Sequence, residues 1–354
     1  MTITERYVSV HSEDRNMVKY PNSNIFSLEL PSDITNVLEA QLIEWTFPSN
    51  YYTFSKELQN LKMFFGISAP GYPEFNVDTS LNKLEYDIYT VLMHNRTKEY
   101  SFFIREGFYT PNQMRNELRE RFNKTVQDEL IYYFNNPSEI NGVVDVTQDF
   151  QNNNFASSIK LLEEHKYNKF EILYDEVKQK MLFGNSNDQF TINITSHFDK
   201  TQLNNKKYRE FSNWGLPSHL GFNLCDITST NKTPELFHLN QLPDLEGGYW
   251  VEPINTTNMM GPSHFYIEID ELNCIDETSN FILNNNTMLT NLTNGRVKSA
   301  FAKIPIESTP TTQYYGQNAS TRKTFYPKKS KIRKLNIKCR YHNGMPVLRT
   351  LRVI

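Results

Sequence analysis

The chain has 354 residues, a formal net charge of −3, 24 Phe, 20 Tyr and 3 Cys. That length allows one large β-domain or two smaller ones, and the aromatics suffice for a core. The three thiols, Cys225, Cys274 and Cys339, are odd in number and far apart, which excludes a disulfide framework and a cysteine-built zinc site. Met1 to Val10 is short and polar and no apolar run reaches bilayer length, so neither a signal peptide nor a membrane span is expected and the chemistry reads as cytosolic. Asparagine is over-represented at 40 residues and gathers in loops such as Gln151 to Asn154, where its tolerance of left-handed backbone suits turns.

From Ser12 to Pro48 a polar, turn-rich lead runs into two strands. Phe26, Leu28 and Leu30 alternate with Ser27 and Glu29, the pattern of a half-buried strand, and Pro31 is expected to end it. After a turn at Ser32 to Asn36, a second strand carries Leu42, Trp45 and Phe47 up to Pro48. Further strands are predicted at 61–67, 84–92, 99–104, 170–173, 180–183, 190–194, 249–252, 264–269, 297–306, 332–341 and 347–353. About a dozen short strands separated by turns predict an all-β antiparallel sandwich, read as a single elaborated domain over 1–354. One amphipathic helix interrupts it, over 110–124. Thr110 is the N-cap, Pro111 takes the first helical position, Gln113 completes a capping box, and Met114, Leu118 and Phe122 recur every fourth residue. Long polar insertions follow at 123–168 and 202–213.

The order of these features resembles the jelly-roll minor capsid and penton-type proteins of nucleocytoplasmic large DNA viruses. The resemblance is carried by Ser12, Asp14 and Arg15, then Tyr20-Pro21-Asn22, then an F-x-L-x-L-P strand and Asn36-Val37. It continues in Glu106-Gly107-Phe108-Tyr109 before the helix, in the strand-turn-strand segment Phe170 to Phe183, and in Leu220-Gly221-Phe222. Near the end, Ala300 to Ile306 precedes a hairpin that starts at Ile332 and turns at Asn343-Gly344, a pair suited to positive φ. The resemblance implies a jelly-roll sandwich and a virion component assembled in the host cytoplasm. It also implies partners among other capsid proteins, including the major capsid protein, and homo-oligomers.

Residues that carry chemistry are scattered. The eight histidines show no metal-ligand spacing, Gly247-Gly248 reads as a turn rather than a phosphate cradle, and Ser218-His219 are adjacent and so point apart on a strand. Glu268, Asp270 and Glu271 read as a solvated strand end. The expectation is therefore a non-enzymatic protein with no catalytic residue, cofactor or metal; an attachment or carbohydrate-binding β-sandwich stays open as the alternative.

Charge is the one asymmetry, since residues 321–354 hold 11 Lys and Arg and no acid while the whole chain is slightly negative. This segment is expected to be a basic hairpin within the sandwich. Lys334, Lys338 and Arg340 should share one strand face, with Lys328, Lys329 and Lys331 extending the row. Such a row suits an acidic neighbouring subunit, the headgroups of an internal membrane or packaged nucleic acid, and the sparse aromatics around it argue against sequence-specific nucleic-acid reading. A solvated edge strand protected by lysines fits the same residues.

Overall fold

The computed structural model describes residues 4–48, 52–56, 58–73, 79–140, 155–195, 215–231, 248–261, 263–276, 299–306, 313–317, 321–341 and 347. The chain groups into two compact units. One joins its two ends, residues 1–53 and 260–354; the other is the intervening 54–259. Among the described residues strand predominates over helix, and every ladder is antiparallel.

The first unit opens with β1 (Ile25–Gln41) and β2 (Glu44–Pro48). Pro31 does not end β1, contrary to expectation, and the anticipated turn at Ser32 to Asn36 is strand. A proline lacks the N–H that a ladder needs, so the strand carries it in a bulge between Glu29 and Ile34. Ahead of β1, Arg15 gathers the lead: Nη1 donates to the Ser12 carbonyl at 2.6 Å, Nε to that of Tyr20 at 2.9 Å and Nη2 to that of Pro21 at 3.1 Å.

The middle unit holds β3 (Lys62–Ala69), β4 (Tyr100–Phe103), β5 (Phe170–Asp175), β6 (Lys180–Asn185), β7 (Gln189–Ile192), β8 (Ile227–Thr228) and β9 (Tyr249–Val251). They form two sheets, ordered β4-β3-β7-β8 and β5-β6-β9. The hairpin of β5 and β6 falls where expected, its turn held by Asp175 Oδ1, which accepts from Val177 N and Lys178 N at 2.9 and 3.0 Å.

Helix is more abundant here than the one segment expected. The strand predicted over 84–92 is helix α1 (Thr79–His94). Its buried residues Leu84, Ile88, Val91 and Leu92 keep helical spacing. The sequence also alternates by two, and its Tyr, Ile, Thr and Val favour strands, so local pattern pointed the wrong way. The expected capped helix is α2 (Pro111–Asn135), with both halves of the box formed by Thr110 and Gln113. It runs eleven residues past Lys124, because Val126, Leu130 and Phe134 continue the buried stripe into the supposed insertion. A third helix, α3 (Ala156–His165), packs on the first two, and Ser158 Oγ donates to the buried Asp87 of α1 at 2.7 Å. α2 lies against β4 and β5, with Phe122 amid the rings of Phe65, Phe102, Phe170 and Phe183 at 4.6 to 6.1 Å.

A short turn of helix, α4 (Leu216–His219), ends in Gly221, whose φ of +89° is a left-handed conformation. A side chain there would also meet the Asn255 carbonyl oxygen at 2.2 Å, so the glycine answers both to conformation and to close approach. His219 is buried: Nδ1 donates to the Asn258 carbonyl at 2.9 Å, Nε2 accepts from Asn60 Nδ2 at 3.4 Å, and the ring meets Phe54 edge-on. Burial holds this imidazole below its ordinary range. The folded chain resists a proton that the unfolded chain accepts, so stability present above the unfolded value of 6.5 is lost as pH falls from there through the folded value. Melting temperature should drop between about pH 7 and pH 5, and that component of the drop should vanish in His219→Phe, a variant less stable at neutral pH. An unchanged slope in the variant would place the pH sensitivity elsewhere.

The chain then returns to the first unit through β10 (His264–Ile269), β11 (Ile275–Asp276), β12 (Ser299–Ala300), β13 (Ala302–Pro305), β14 (Gln313–Gln317) and β15 (Arg322–Arg340). The main sheet is ordered β1-β15-β10-β13, with β14 pairing β2 and β11 pairing β12. β15 starts ten residues before the predicted strand. It tracks β1 from Ile25 opposite Lys338 to Gln41 opposite Arg322, and a second bulge, on β15 between Lys329 and Thr324, restores the register that the first displaced. It includes Pro327, so each long strand places a proline where pairing lapses. The far arm of the expected C-terminal hairpin and its Asn343-Gly344 turn lie outside the described residues, except that Val347 N donates to the Cys339 carbonyl at 3.0 Å. The 202–213 insertion lies outside them as well.

Candidate contact surface on the basic strand

β15 alternates as its sequence requires. Leu335, Ile337 and Cys339 are buried on one face, while Lys334, Asn336 and Lys338 take the other. The thiol of Cys339 is pushed up to about 12 by burial and the nearby Glu268 charge, which leaves it an inert apolar filler.

The continuous exposed row of cations does not form. Arg340, expected at the surface, has a side chain only 1% exposed; it is ion-paired with Glu268, and its guanidinium lies 5.1 Å from the centre of the Tyr266 ring. Lys338 Nζ is 3.5 Å from the same Glu268. The cause is register: Tyr266 stands opposite Arg340 and Glu268 opposite Lys338, so β10 lays an aromatic ring and an acid along the basic face. Asp270 continues the match, accepting from Asn336 Nδ2 at 2.8 Å, and Glu271 pairs with Lys329. Glu268 is thus a largely buried counter-charge to Lys338 and Arg340, while Asp270 and Glu271 are exposed, as a solvated strand end should be, Glu271 pairing with Lys329 and Asp270 with the neutral Asn336 amide. The two-residue spacing of Tyr266, Glu268 and Asp270, mirrored by Arg340, Lys338 and Asn336, was the signal that could have revealed this match.

Of the remaining cations, Lys331 Nζ meets Asp33 Oδ2 of the β1 bulge at 2.6 Å, and Lys328 is exposed in the β15 bulge. Lys334 is exposed opposite Glu29 in the ladder and has no ion pair among the described residues; Arg333, which alternation did not single out, is exposed in the same way. These two border an open polar groove of about 610 Å³ whose other walls include Asp270, Glu271, Lys331 and Ile332. Among the described residues no three His, Cys, Asp or Glu side chains gather as a metal site would need, and no helix is long and apolar enough to cross a membrane.

No family model matches this chain, and no curated protein matches it. Among solved structures the chain is similar to the mavirus penton protein, in its selenomethionine-labelled crystal form. The two are 10% identical, the match covers 93% of this chain and 88% of that one, and the TM-score is 0.29. A score that low bears on neither fold nor role.

Proposed function

We propose that this chain is a non-enzymatic structural component of a large icosahedral virus particle, a minor capsid or penton protein built on a jelly-roll sandwich. It would act through contacts with copies of itself and with other capsid proteins, the major capsid protein among them. One observation supports the reading: the polar residues of the motifs that carry the resemblance to such proteins are spent on holding backbone. Arg15 binds three carbonyls of the Ser12 to Pro21 lead. In the segment before α2, Gly107 exchanges backbone hydrogen bonds with Phe54, Glu106 accepts from Lys56 N at 2.8 Å, and Tyr109 Oη donates to the Arg105 carbonyl at 2.7 Å. Gly221 gives the Asn255 backbone room to approach and accepts its N–H at 3.0 Å. Side chains committed in this way build a scaffold, and function then falls to loops and charged edges.

The test is composition of the particle. Virions purified by density gradient should contain the chain at a fixed copy number per particle. A cryo-EM reconstruction should show it as icosahedrally ordered density in contact with the shell. Loss of the chain from banded particles, with the protein remaining in the soluble fraction of infected cells, would overturn the reading.

A further inference from the structure

The geometry points to the groove beside Arg333 and Lys334 as a docking site for a short, extended, acidic segment of a neighbouring protein, added as a strand to the open edge of β15. The inference rests on the capsid reading only for the setting in which that neighbour is met.

Three observations meet here. The first is the end of β10. Ile269 N donates to Asn273 Oδ1 at 2.9 Å, Leu272 N donates to the Ile269 carbonyl at 3.0 Å, and Glu271 takes a φ of 67°, so the ladder with β15 ends at Asp270, and beyond it only side chains of β15 reach the turn, Lys329 to Glu271 and Lys323 to the Asn273 carbonyl. The last backbone bond to β15 runs from Asp270 N to the Asn336 carbonyl at 3.2 Å. Strand backbone repeats every two residues, so the N–H and C=O of Lys334 point to the same side as those of Asn336 and have no strand across from them among the described residues.

The second observation is charge. Glu271 is paired with Lys329, Asp270 is held by the neutral amide of Asn336 and keeps its charge, and Glu29 stands opposite Lys334 in the ladder, while Arg333 and Lys334 have no ion pair among the described residues. The third is shape: the space beside them is an open groove of about 610 Å³ whose lining includes Ile332. An unpaired strand edge supplies main-chain affinity and the spare cations select the sign of the incoming side chains, which together describe strand addition by an acidic peptide. A nucleic-acid strand fits less well, because its phosphodiester backbone has no N–H to donate to the open carbonyl of Lys334 and no two-residue alternation of donor and acceptor to match a strand edge.

The experiment uses the purified full chain and fluorescently labelled six-residue peptides. Alternating Glu-Thr should bind, and binding should weaken as salt shortens the Debye length from ~8 Å at 0.15 M to ~3 Å at 1 M. A Gln-Thr peptide should bind roughly tenfold or more weakly, and R333E/K334E should weaken the acidic peptide by a similar factor. Two further peptides, N-methylated on alternate amides in the two possible phases, separate strand addition from loose charge attraction: one phase should abolish binding and the other spare it. If the charge reversal lowers the melting temperature, R333Q/K334Q replaces it with the same expectation. Equal binding of Glu and Gln peptides, unchanged affinity in the variants, equal binding of both methylated peptides, or tighter binding of a six-nucleotide single strand would each overturn the proposal. All of this is read on the isolated chain, so its failure is distinct from absence of the chain from virions.

Discussion

Leu118→Asp should leave the middle unit unable to fold. Leu118 is fully buried on α2, one turn before Phe122, in the stripe that meets β4 and β5. The substitution removes the apolar side chain, a loss of about 2 to 5 kcal/mol for truncations of this kind. It also leaves a carboxylate without a partner in a desolvated site, which adds several kcal/mol or forces the group to take up a proton. The total, roughly 5 kcal/mol or more, is comparable with the whole stability of an ordinary domain. Circular dichroism should show loss of the cooperative transition and of near-ultraviolet signal from the aromatic cluster, whereas Leu118→Met, which conserves volume, should cost less than about 1.5 kcal/mol. A Leu118→Asp protein that melts like the parent would remove Leu118 from the core.

What the sequence made legible, and what it hid, divides by the range of the interaction that decides each feature. The capping box at Thr110 and Gln113 and the Asp175 turn are settled within a few residues, and both stand where expected. The 84–92 segment needed an arbiter that no local pattern supplied: two periodicities coexist there, and packing on α3 selected the helical one. Pro31 was read by its local effect, but β15, some three hundred residues away, continues the ladder on both sides of it. For the same reason the sequence does not announce that 1–53 and 260–354 form one unit, since the pairing of β1 with β15 has no local signature. The basic surface shows this most clearly. Alternation placed Lys334 and Lys338 on one face, yet which cations remain free was decided by β10, whose Tyr266, Glu268 and Asp270 cover the upper half of the row and stop short of Lys334.

Glu117 is the second site where a large effect is expected. Its side chain, 1% exposed, lies on the buried side of α2 and accepts four hydrogen bonds: from Arg105 N at 3.1 Å, Arg105 Nε at 3.0 Å, Arg105 Nη2 at 2.7 Å and Arg121 Nε at 2.9 Å. The carboxylate thereby ties α2 to the segment that follows β4 and precedes the helix cap. Burial alone would raise its pKa, but the hydrogen bonds from Arg105 and Arg121 outweigh it and hold the group below its ordinary value of 4.5. Glu117→Ala should cost about 3 kcal/mol, at the lower end for breaking a buried pair, because the Arg105 side chain is 72% exposed and can turn to water. Its backbone N–H, aimed at the lost oxygen, is harder to satisfy. Glu117→Gln keeps an acceptor for that N–H and should cost less.

The pH dependence separates charge from shape. A carboxyl with a depressed folded pKa gives stability that is present above its unfolded value and lost as pH falls through the folded one. The parent should therefore lose stability below about pH 4.5, and Glu117→Gln should lack that component. Denaturant melts of both proteins at pH 7 and near pH 3 supply the comparison. Equal losses in the two would show that Glu117 holds α2 by hydrogen-bond geometry alone, with its charge contributing nothing.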